Sequence, residues 1–309
     1  RQRPLRAGSL VITLFGDAIA PRGGAISLAS LIKVMATFGL TERLVRTAVG
    51  RLAQEGWLVA EREGRLSYYG LTRLGSERFL EATRRIYSAP PARWRGRWTL
   101  VLANGGGRTR QKLRSELEWL GFGQLASATF AHPDTDMNRV RRELTDPSLL
   151  DGTLVLSARS ADLAADQRLI EWGWDLKDLE RRYRRFIALF TPVLAAARAA
   201  SPAPSEASLA MRTLLIHEYR RVHLRDPLLP RSLLPPDWAG AAAYELCRSL
   251  YSLVYRAADR YLGELATTRA GALPPPAGDL TRRFGGLELH PGHGPVAIRT
   301  PSTCGCLYT

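Results

Sequence analysis

Residues 38–59, FGLTERLVRTAVGRLAQEGWLV, constrain the fold of this chain more than any other stretch. Gly39 ends one helical run, Thr41 is placed to cap the next, and that helix extends over 42–55. Residues three to four positions apart share a face of a helix, so the sequence predicts an apolar inner face and a basic outer face. The inner set is Leu44, Val45, Ala48, Val49 and Leu52, and the outer set is Arg43, Arg46, Thr47, Gly50 and Arg51.

The flanking elements predict a winged helix-turn-helix domain. Helices over 9–19 and 27–38, the second capped by Ser27, come before this helix. A hairpin over 57–71, turning at Glu63-Gly64, and a helix over 73–87 follow it. In this arrangement the third helix enters the major groove of DNA. The predicted DNA-contacting residues are Thr41, Arg43, Arg46, Thr47 and Arg51 on that helix, and Arg62 and Arg65 on the hairpin. The alternatives are a solvated arginine face and a winged helix that docks proteins.

The charge distribution favours a polyanionic partner. The formal net charge is +15, and it is concentrated at the two ends of the chain. Residues 1–88 carry 14 Lys/Arg against 7 Asp/Glu, residues 89–176 carry 12 against 11, and residues 177–309 carry 18 against 11. Together with the basic helix, this predicts double-stranded DNA as a partner.

The middle of the chain predicts a small α/β domain after a Pro- and Trp-containing linker at 89–98. The pattern favours strands over 98–103, 125–131 and 153–158, with helices over 109–120, 137–144 and 160–173. The GGGR segment at 105–108 lies between a strand and a helix, where backbone amides can cradle phosphate. It lacks the spacing of a nucleotide-binding motif, so a plain loop is favoured.

The last third is predicted to be helical. A helix over 175–200 is followed by two long helices that the proline-dense segment 226–238 separates. The chain beyond Gly271 is rich in Pro and Gly, which is typical of poorly ordered segments. The predicted domains are therefore 1–88, 89–175 and 176–272, with a flexible tail over 273–309.

The sequence does not favour an enzyme. The best catalytic constellation is His217, Glu218 and His223 near Asp226, but residues six apart on a helix face roughly opposite sides. A metal-dependent nuclease or hydrolase is kept as an alternative. Three cysteines make no disulfide framework, which indicates a reducing cytoplasm, and no apolar run is long enough to span a membrane. Cys304 and Cys306 stand near His290 and His293 without a zinc-site spacing, so a frayed end is favoured there and no metal or cofactor is predicted.

Three stretches resemble the PaaX-type repressors of phenylacetate catabolism. They are SLVITLFGD with TERLVRTAVGRLAQEGWL and YYGLTRLG, then WRGRW, and then LLIHEYRRVHLRDPLLPRSLLPPDWAG. The resemblance covers about residues 5–265 and leaves the tail 291–309 without a role. It implies an α+β multidomain protein with an N-terminal winged helix-turn-helix, a ferredoxin-like middle domain similar to a small CRISPR-associated nuclease, and a helical C-terminal domain. It also implies a dimeric repressor that releases its operator on binding phenylacetyl-CoA. Because a single recognition helix reads only a few base pairs, we predict a homodimer on a palindromic operator.

We expect the effector that the resemblance implies to bind at the junction of the middle and C-terminal domains. Coenzyme A phosphates need cations and an aryl group needs an apolar pocket, which favours Arg108, His217, Tyr219, Arg220, Arg221 and Trp238. The alternatives are a different aryl acyl-CoA, and a purely structural role for HEYRR in helix packing. A stripe of Leu250, Leu253, Val254 and Tyr261 fits equally a dimer interface or the core of the domain itself.

Overall fold

The computed structural model describes residues 6–89, 94–104, 106–133, 135, 140, 149, 152–200, 205–278 and 280–287, without the side chain of Arg108. The described N-terminal part combines helices with an antiparallel sheet of strand order β1-β3-β2. Its helices are α1 (Ala7–Leu14), α2 (Leu28–Ala36), α3 (Glu42–Gln54) and α4 (Arg73–Tyr87). Its strands are β1 (Ala25–Ser27), β2 (Leu58–Glu63) and β3 (Leu66–Leu71). Helix α1 continues into a π-helical turn at Phe15–Ile19 and a 3-10 turn at Ala20–Arg22.

Local side-chain chemistry places the helix starts where the sequence predicts them. Ser27 accepts a hydrogen bond from the backbone N–H of Ser30, and Thr41 accepts one from that of Leu44. The hairpin turns at Gly64, whose φ of 58° is unfavourable for residues with a β-carbon. These predictions are confirmed, whereas strand β1, which pairs with the outer edge of β3, was not predicted.

The middle of the chain forms a four-stranded antiparallel sheet. The elements are β4 (Trp98–Ala103), α5 (Gly107–Trp119), β5 (Gly123–Ala126), β6 (Thr129–Pro133), β7 (Thr153–Ala158) and α6 (Leu163–Gly173). The strand order is β5-β6-β4-β7, and all pairs are antiparallel. The predicted single strand over 125–131 is wrong, because the chain reverses between Ala126 and Thr129 to form a hairpin. Most of the predicted helix over 137–144 lies outside the described residues.

Long helices make up most of the C-terminal part. They are α7 (Leu176–Ala199), α8 (Ser205–His223) and α9 (Ala239–Leu265), followed by a short hairpin of β8 (Thr267–Thr268) and β9 (Gly271–Ala272). The proline-dense segment between α8 and α9 contains a 3-10 turn at Arg231–Leu233. Leu250 and Val254 of α9 are buried inside the chain, so this part of the proposed dimer stripe is core. None of the helices in the described ranges is long and apolar enough to cross a membrane.

The segment after Gly271 is packed against the protein as far as Leu287. A short turn at Leu280–Gly285 buries Leu280, Arg283 and Phe284. The Phe284 ring lies 5.1 Å from the ring of Tyr87 and 5.4 Å from that of Tyr251. The predicted disorder is therefore wrong for this segment, because a few anchoring side chains outweigh its Pro- and Gly-rich composition. Residues 288–309 lie outside the described part.

The N-terminal and C-terminal parts share one hydrophobic core. Buried residues of α1, α2 and α3 pack in one cluster with Leu209 of α8, with Ala258 and Leu262 of α9, and with Leu273. A second cluster is formed mainly by α7, α8 and α9, and it includes Ile86 and Tyr87 of α4. The predicted first and third domains are thus joined by packing, although 87 residues of another domain separate them along the chain.

Candidate nucleic-acid interface and ligand cleft

The outer face of helix α3 is exposed as a unit. Val45, Ala48, Val49 and Leu52 are buried beneath the helix. The predicted DNA-contacting residues of this helix, which are Thr41, Arg43, Arg46, Thr47 and Arg51, are all exposed. Leu44 was assigned to the inner face, but the assignment is wrong, since its side chain is 47% exposed on the outer side.

Two of the α3 arginines are held by carboxylates one turn away. Arg46 binds Glu42 and Arg51 binds Glu55, each with a shortest nitrogen–oxygen distance of 2.7 Å. Exposed pairs of this kind are worth less than about 1 kcal/mol, so both arginines can exchange their partner for a phosphate or a base. Arg43 has no ion-pair partner among the described residues and is the most available cation on the face.

The β2–β3 hairpin extends beside α3 and presents Arg62 and Arg65 to solvent. Strand β2 also carries Glu61 and Glu63, which would repel a phosphate backbone. Both carboxylates are bound by Arg269 from the β8–β9 hairpin, at 3.5 Å and 3.2 Å. Arg269 was not predicted, because 206 residues separate it from Glu63 and no local pattern links them.

The β8–β9 hairpin is fixed to the N-terminal part by a hydroxyl cluster. The Thr267 hydroxyl lies 3.0 Å from that of Ser27 and 3.2 Å from that of Ser30. The backbone N–H of Thr267 also donates to the Ser30 hydroxyl at 3.0 Å. The hairpin is therefore anchored at the residue that caps α2, and this anchor positions Arg269 over strand β2.

A buried charge cluster joins α1 to the C-terminal helices. Asp17 accepts hydrogen bonds from Arg212 at 2.7 Å, Arg283 at 2.7 Å, Tyr87 at 2.5 Å and Tyr251 at 3.0 Å. Burial works to raise the pKa of Asp17, but the two guanidinium groups and the Tyr87 hydroxyl outweigh it, so its pKa lies below the ordinary value. Asp17 is therefore ionised and binds four distant segments of the chain, which are α4, α8, α9 and the turn at Leu280–Gly285.

Two of the predicted effector residues are occupied by contacts with α1. Arg220 donates to the Thr13 hydroxyl at 2.7 Å and to the carbonyl of Ser9 at 2.8 Å. The Nδ1 atom of His217 lies 3.0 Å from the same Thr13 hydroxyl. Burial, with the charges of Arg220 and Arg221, lowers the pKa of His217 to about 4, so the ring is neutral near pH 7. Both side chains contribute to packing between the N-terminal and C-terminal parts.

The other predicted effector residues do not converge on one site. Tyr219 is fully buried and stacks on His223 at 4.7 Å, and Trp238 packs against Tyr183 at 5.9 Å. Arg221 is exposed and binds Glu218 at 2.9 Å. Arg108 begins the first turn of α5, and its side chain lies outside the description. Four of the six, His217, Tyr219, Arg220 and Trp238, are thus engaged in contacts within the folded chain. This outcome favours a role of HEYRR in helix packing.

The constellation considered for an enzyme is divided between two places, because His217 lies beside Glu218 while His223 and Asp226 both contact the Tyr183 hydroxyl. His217 contacts α1, whereas the Nδ1 atom of His223 lies 2.9 Å from the Tyr183 hydroxyl and its Nε2 atom 3.0 Å from the carbonyl of Arg85. In the part of the chain that is described, no three His, Cys, Asp or Glu side chains are arranged to hold a metal ion. Cys247 is a buried free thiol, while Cys304, Cys306, His290 and His293 lie outside the described residues.

A cleft of about 430 Å³ lies between the sheet domain and the C-terminal helices. We call it the junction cleft. It is at the predicted junction, but none of the six predicted effector residues lines it. The lining residues are Arg114, Glu118, Gly121, Phe122, Gln124, Gly173, Trp174, Asp175, Asp178, Leu179, Arg225, Asp226 and Pro227. They come from three segments of the chain, which are 114–124 on α5 and β5, 173–179 at the end of α6 and the start of α7, and 225–227 after α8. No sequence pattern signals that these segments meet.

Comparison with known proteins gives consistent matches along the chain. Residues 6–75 match the model of PaaX-like protein, residues 91–170 the PaaX protein central Cas2-like domain, and residues 174–264 the PaaX-like protein C-terminal domain. The transcriptional repressor PaaX of Escherichia coli (strain K12) is 37% identical over 291 residues, which cover 93% of this chain and 92% of the relative. A solved structure, the uncharacterized protein Rv0674 from Mycobacterium tuberculosis, is 26% identical with a TM-score of 0.47 and covers 75% of this chain and 89% of its own.

Proposed function

This chain belongs to the PaaX family of transcriptional repressors, and from that premise we propose that it represses aromatic catabolic genes by binding operator DNA until an aryl acyl-CoA releases it. Phenylacetyl-CoA is the effector that the family resemblance implies, and another aryl acyl-CoA is the alternative. The chain is a regulator and not an enzyme. The observation that carries the proposal is the exposed arginine face of α3 beside the β2–β3 hairpin.

We propose that residues 6–87 act as a winged helix-turn-helix, with α3 as the recognition helix and the β2–β3 hairpin as the wing. The order of elements and the short turn at Gly39 between α2 and α3 support this assignment. Arginine pairs with guanine O6 and N7 and also neutralises phosphates, so Arg43, Arg46 and Arg51 suit base contacts. Arg62 and Arg65 would then bind the backbone or the minor groove.

We also propose that the central Cas2-like domain is ferredoxin-like. The strand order β7-β4-β6-β5 corresponds to 4-1-3-2 in order along the domain, with every pair antiparallel, and supports this assignment. Resemblance to a nuclease fold implies no nuclease activity, because function depends on the residues of a site.

The proposed repressor is a homodimer on a palindromic operator. One recognition helix reads only a few base pairs, so two half-sites about one helical turn apart are needed for specificity. Light scattering with and without operator DNA tests this proposal, and a monomer under both conditions would contradict it.

The DNA-binding proposal is tested with Arg46→Ala and Arg51→Ala. Each removes an exposed cation from α3 and no core contact, so we expect both proteins to fold normally. Loss of a base contact should weaken operator binding by about 1–3 kcal/mol and relax the preference at one base pair. Fluorescence anisotropy with promoter DNA over a range of salt concentrations measures both effects.

Arg221→Ala is the matched control, because it removes a carboxylate-paired arginine of the C-terminal part whose exposure, 52%, is close to the 56% of Arg46. It should leave DNA affinity within twofold of the wild type. If the two α3 variants bind the operator as tightly as this control, α3 is not the reading face.

A further inference from the structure

Resting on the proposed function, we propose that the effector binds in the junction cleft, with an acidic group on Arg225, and that Arg85 transmits its binding to helix α4 and the β2–β3 hairpin. Arg85 lies near the end of α4, and α4 directly follows strand β3. It is a positioning residue in this proposal, since it stands behind the cleft and does not line it.

Arg85 holds the two walls of the cleft together. One guanidinium nitrogen donates to the carbonyl of Trp119 at 2.7 Å. Another donates to the carbonyls of Leu224 at 3.1 Å and Asp226 at 3.3 Å. Trp119 ends α5, two residues before the cleft-lining Gly121, and Asp226 itself lines the opposite wall. The guanidinium also lies 5.1 Å from the centre of the Trp119 ring, which fixes its plane.

A hydrogen-bonded chain makes a second connection from the cleft to Arg85. Asp226 Oδ2 lies 2.7 Å from the Tyr183 hydroxyl, which lies 2.9 Å from His223 Nδ1. His223 Nε2 lies 3.0 Å from the Arg85 carbonyl, which can only accept, so Nε2 donates this hydrogen bond. Burial lowers the pKa of His223 to about 4.

The Tyr183 hydroxyl makes this chain continuous, because it donates to Asp226 Oδ2 and also lies within hydrogen-bond distance of His223 Nδ1. Burial raises the pKa of Asp226. The cleft wall is thereby linked to α4 through both the side chain and the backbone of Arg85.

The cleft is lined by two arginines, Arg114 and Arg225, and by four carboxylates, Glu118, Asp175, Asp178 and Asp226, so an anionic ligand requires these carboxylates to be held by other groups. Glu118 binds Arg114 at 2.6 Å, and Asp178 binds Arg181 at 2.8 Å and Arg182 at 2.5 Å. Asp175 caps helix α7 by accepting from the backbone N–H of Asp178 at 2.9 Å. These carboxylates are thus engaged within the protein. Arg225 is exposed at the cleft and has no ion-pair partner in the described ranges, so its charge is available to a phosphate of the ligand.

The cleft also has an aromatic side that suits an aryl group. Phe122 and Trp174 line it, and Trp174 donates to the carbonyl of Gly121 at 3.2 Å. A β-carbon at Gly123 would lie 2.7 Å from the Trp174 ring, so the glycine allows this close approach of the two walls. The volume matches that of small-molecule sites and accommodates an aryl thioester, while the nucleotide of coenzyme A extends outside.

Arg85 can transmit effector binding to α4, because its side chain is hydrogen-bonded to both walls of the cleft. A ligand that separates the end of α5 from the segment 224–227 removes at least one of the Arg85 hydrogen bonds and shifts α4. Because α4 continues strand β3, such a shift moves the wing relative to α3. The ligand releases DNA only to the extent that it binds the shifted state more tightly.

The coupling test uses Arg85→Lys, which keeps the charge but cannot bridge three carbonyls with a planar fork. Operator affinity is measured with and without saturating phenylacetyl-CoA, and the ratio is the coupling factor. We expect a coupling factor near 1 in the variant, while binding of the thioester and of DNA each changes less than threefold. The neighbouring Arg84→Lys, at an exposed position of α4, should retain the wild-type factor.

Tyr183→Phe provides an independent test, since it removes only the hydroxyl that connects Asp226 to His223. It should lower the coupling factor at least threefold with little change in thioester affinity. If folded Arg85→Lys has the coupling factor of the wild type, the transmission route is wrong. If Arg85→Lys does not fold, a wild-type coupling factor in folded Tyr183→Phe contradicts the route.

The location is tested by calorimetry on Arg225→Ala, with Arg221→Ala as the control one turn earlier on α8. Arg225→Ala should weaken phenylacetyl-CoA at least tenfold and leave DNA affinity unchanged. Phenylacetamide, which carries neither phosphate nor carboxylate, should bind both variants alike, and dependence of its binding on Arg225 would overturn the phosphate assignment. Equal thioester affinity in both variants would show that the effector does not bind in this cleft. A wild type that binds no operator DNA contradicts the proposed function instead.

Discussion

The arginines of α3 and those of the Asp17 cluster are the same residue type in opposite settings. On α3, Arg46 is 56% exposed and pairs with a carboxylate one turn away. In the cluster, Arg212 is fully buried and binds Asp17, 195 residues distant, and Asp259. The first kind can exchange its partner for DNA, because a surface ion pair is weak. The second kind cannot leave without depriving a buried carboxylate of its partner, so it fixes the N-terminal part to the C-terminal helices.

The largest effect is expected from Asp17→Asn. The change keeps the shape but removes the charge that Arg212 and Arg283 share in the interior. Breaking a buried ion pair typically costs about 3–5 kcal/mol, so the unfolding free energy in urea should fall by about that amount. Arg221→Ala should change it by less than about 0.5 kcal/mol. Similar losses of unfolding free energy in both variants would show that the buried ion pairs of Asp17 stabilise the protein no more than an exposed pair does.

A pH titration of stability tests the same buried interface. Burial and the charges of Arg220 and Arg221 lower the pKa of His217 to about 4, below the unfolded value near 6.5. Between these values the unfolded chain binds a proton that the folded chain does not, so stability is full above pH 6.5 and falls as the pH approaches 4. The lowered pKa of His217 changes the free energy of unfolding by about 3 kcal/mol between pH 6.5 and pH 4.

Urea unfolding midpoints from pH 7 to pH 4.5 measure this dependence. His217→Gln should show a shallower decline than the wild type, while the lowered pKa of His223 leaves part of the slope in place. Parallel curves for the two proteins would mean that His217 titrates normally in the folded state.

The smallest effect concerns the exposed pairs of Arg269 with Glu61 and Glu63. Arg269→Ala leaves two carboxylates on the wing strand, so operator affinity should fall a few-fold, while the unfolding free energy changes by less than about 1 kcal/mol. Arg184→Ala is the control, because Arg184 also pairs with two carboxylates, Glu180 and Asp237, at a comparable exposure. If both variants bind DNA equally, Arg269 has no influence on the wing.

Local patterns explain which features were predictable. Ser27, Thr41 and the Glu63-Gly64 turn act within a few residues, and the periodicity of α3 shows its basic face. Leu44 was misassigned, because a residue at the edge of an apolar stripe has no sequence signal for the side to which it turns.

Features that depend on distant partners were not predictable in the same way. Arg220 and Tyr219 are suitable ligand-binding residue types, but α1 and α7 occupy them in the folded chain. The junction cleft unites three separated segments, and Arg85 connects its walls through backbone carbonyls that every sequence has. Only the folded arrangement distinguishes such a residue from the exposed Arg84 beside it.

The contact between Arg283 and Asp17 spans nearly the whole chain and has a consequence for biosynthesis. A ribosome releases the N-terminal part first, when neither Arg212 nor Arg283 has been made. Until then Asp17 has no cation to accompany it into the interior, and the side of α1 that packs on α8 stays in water. The N-terminal part therefore gains its full set of contacts only after Arg283 has been made, so that chains terminated before this residue lack some of the contacts that hold it in place.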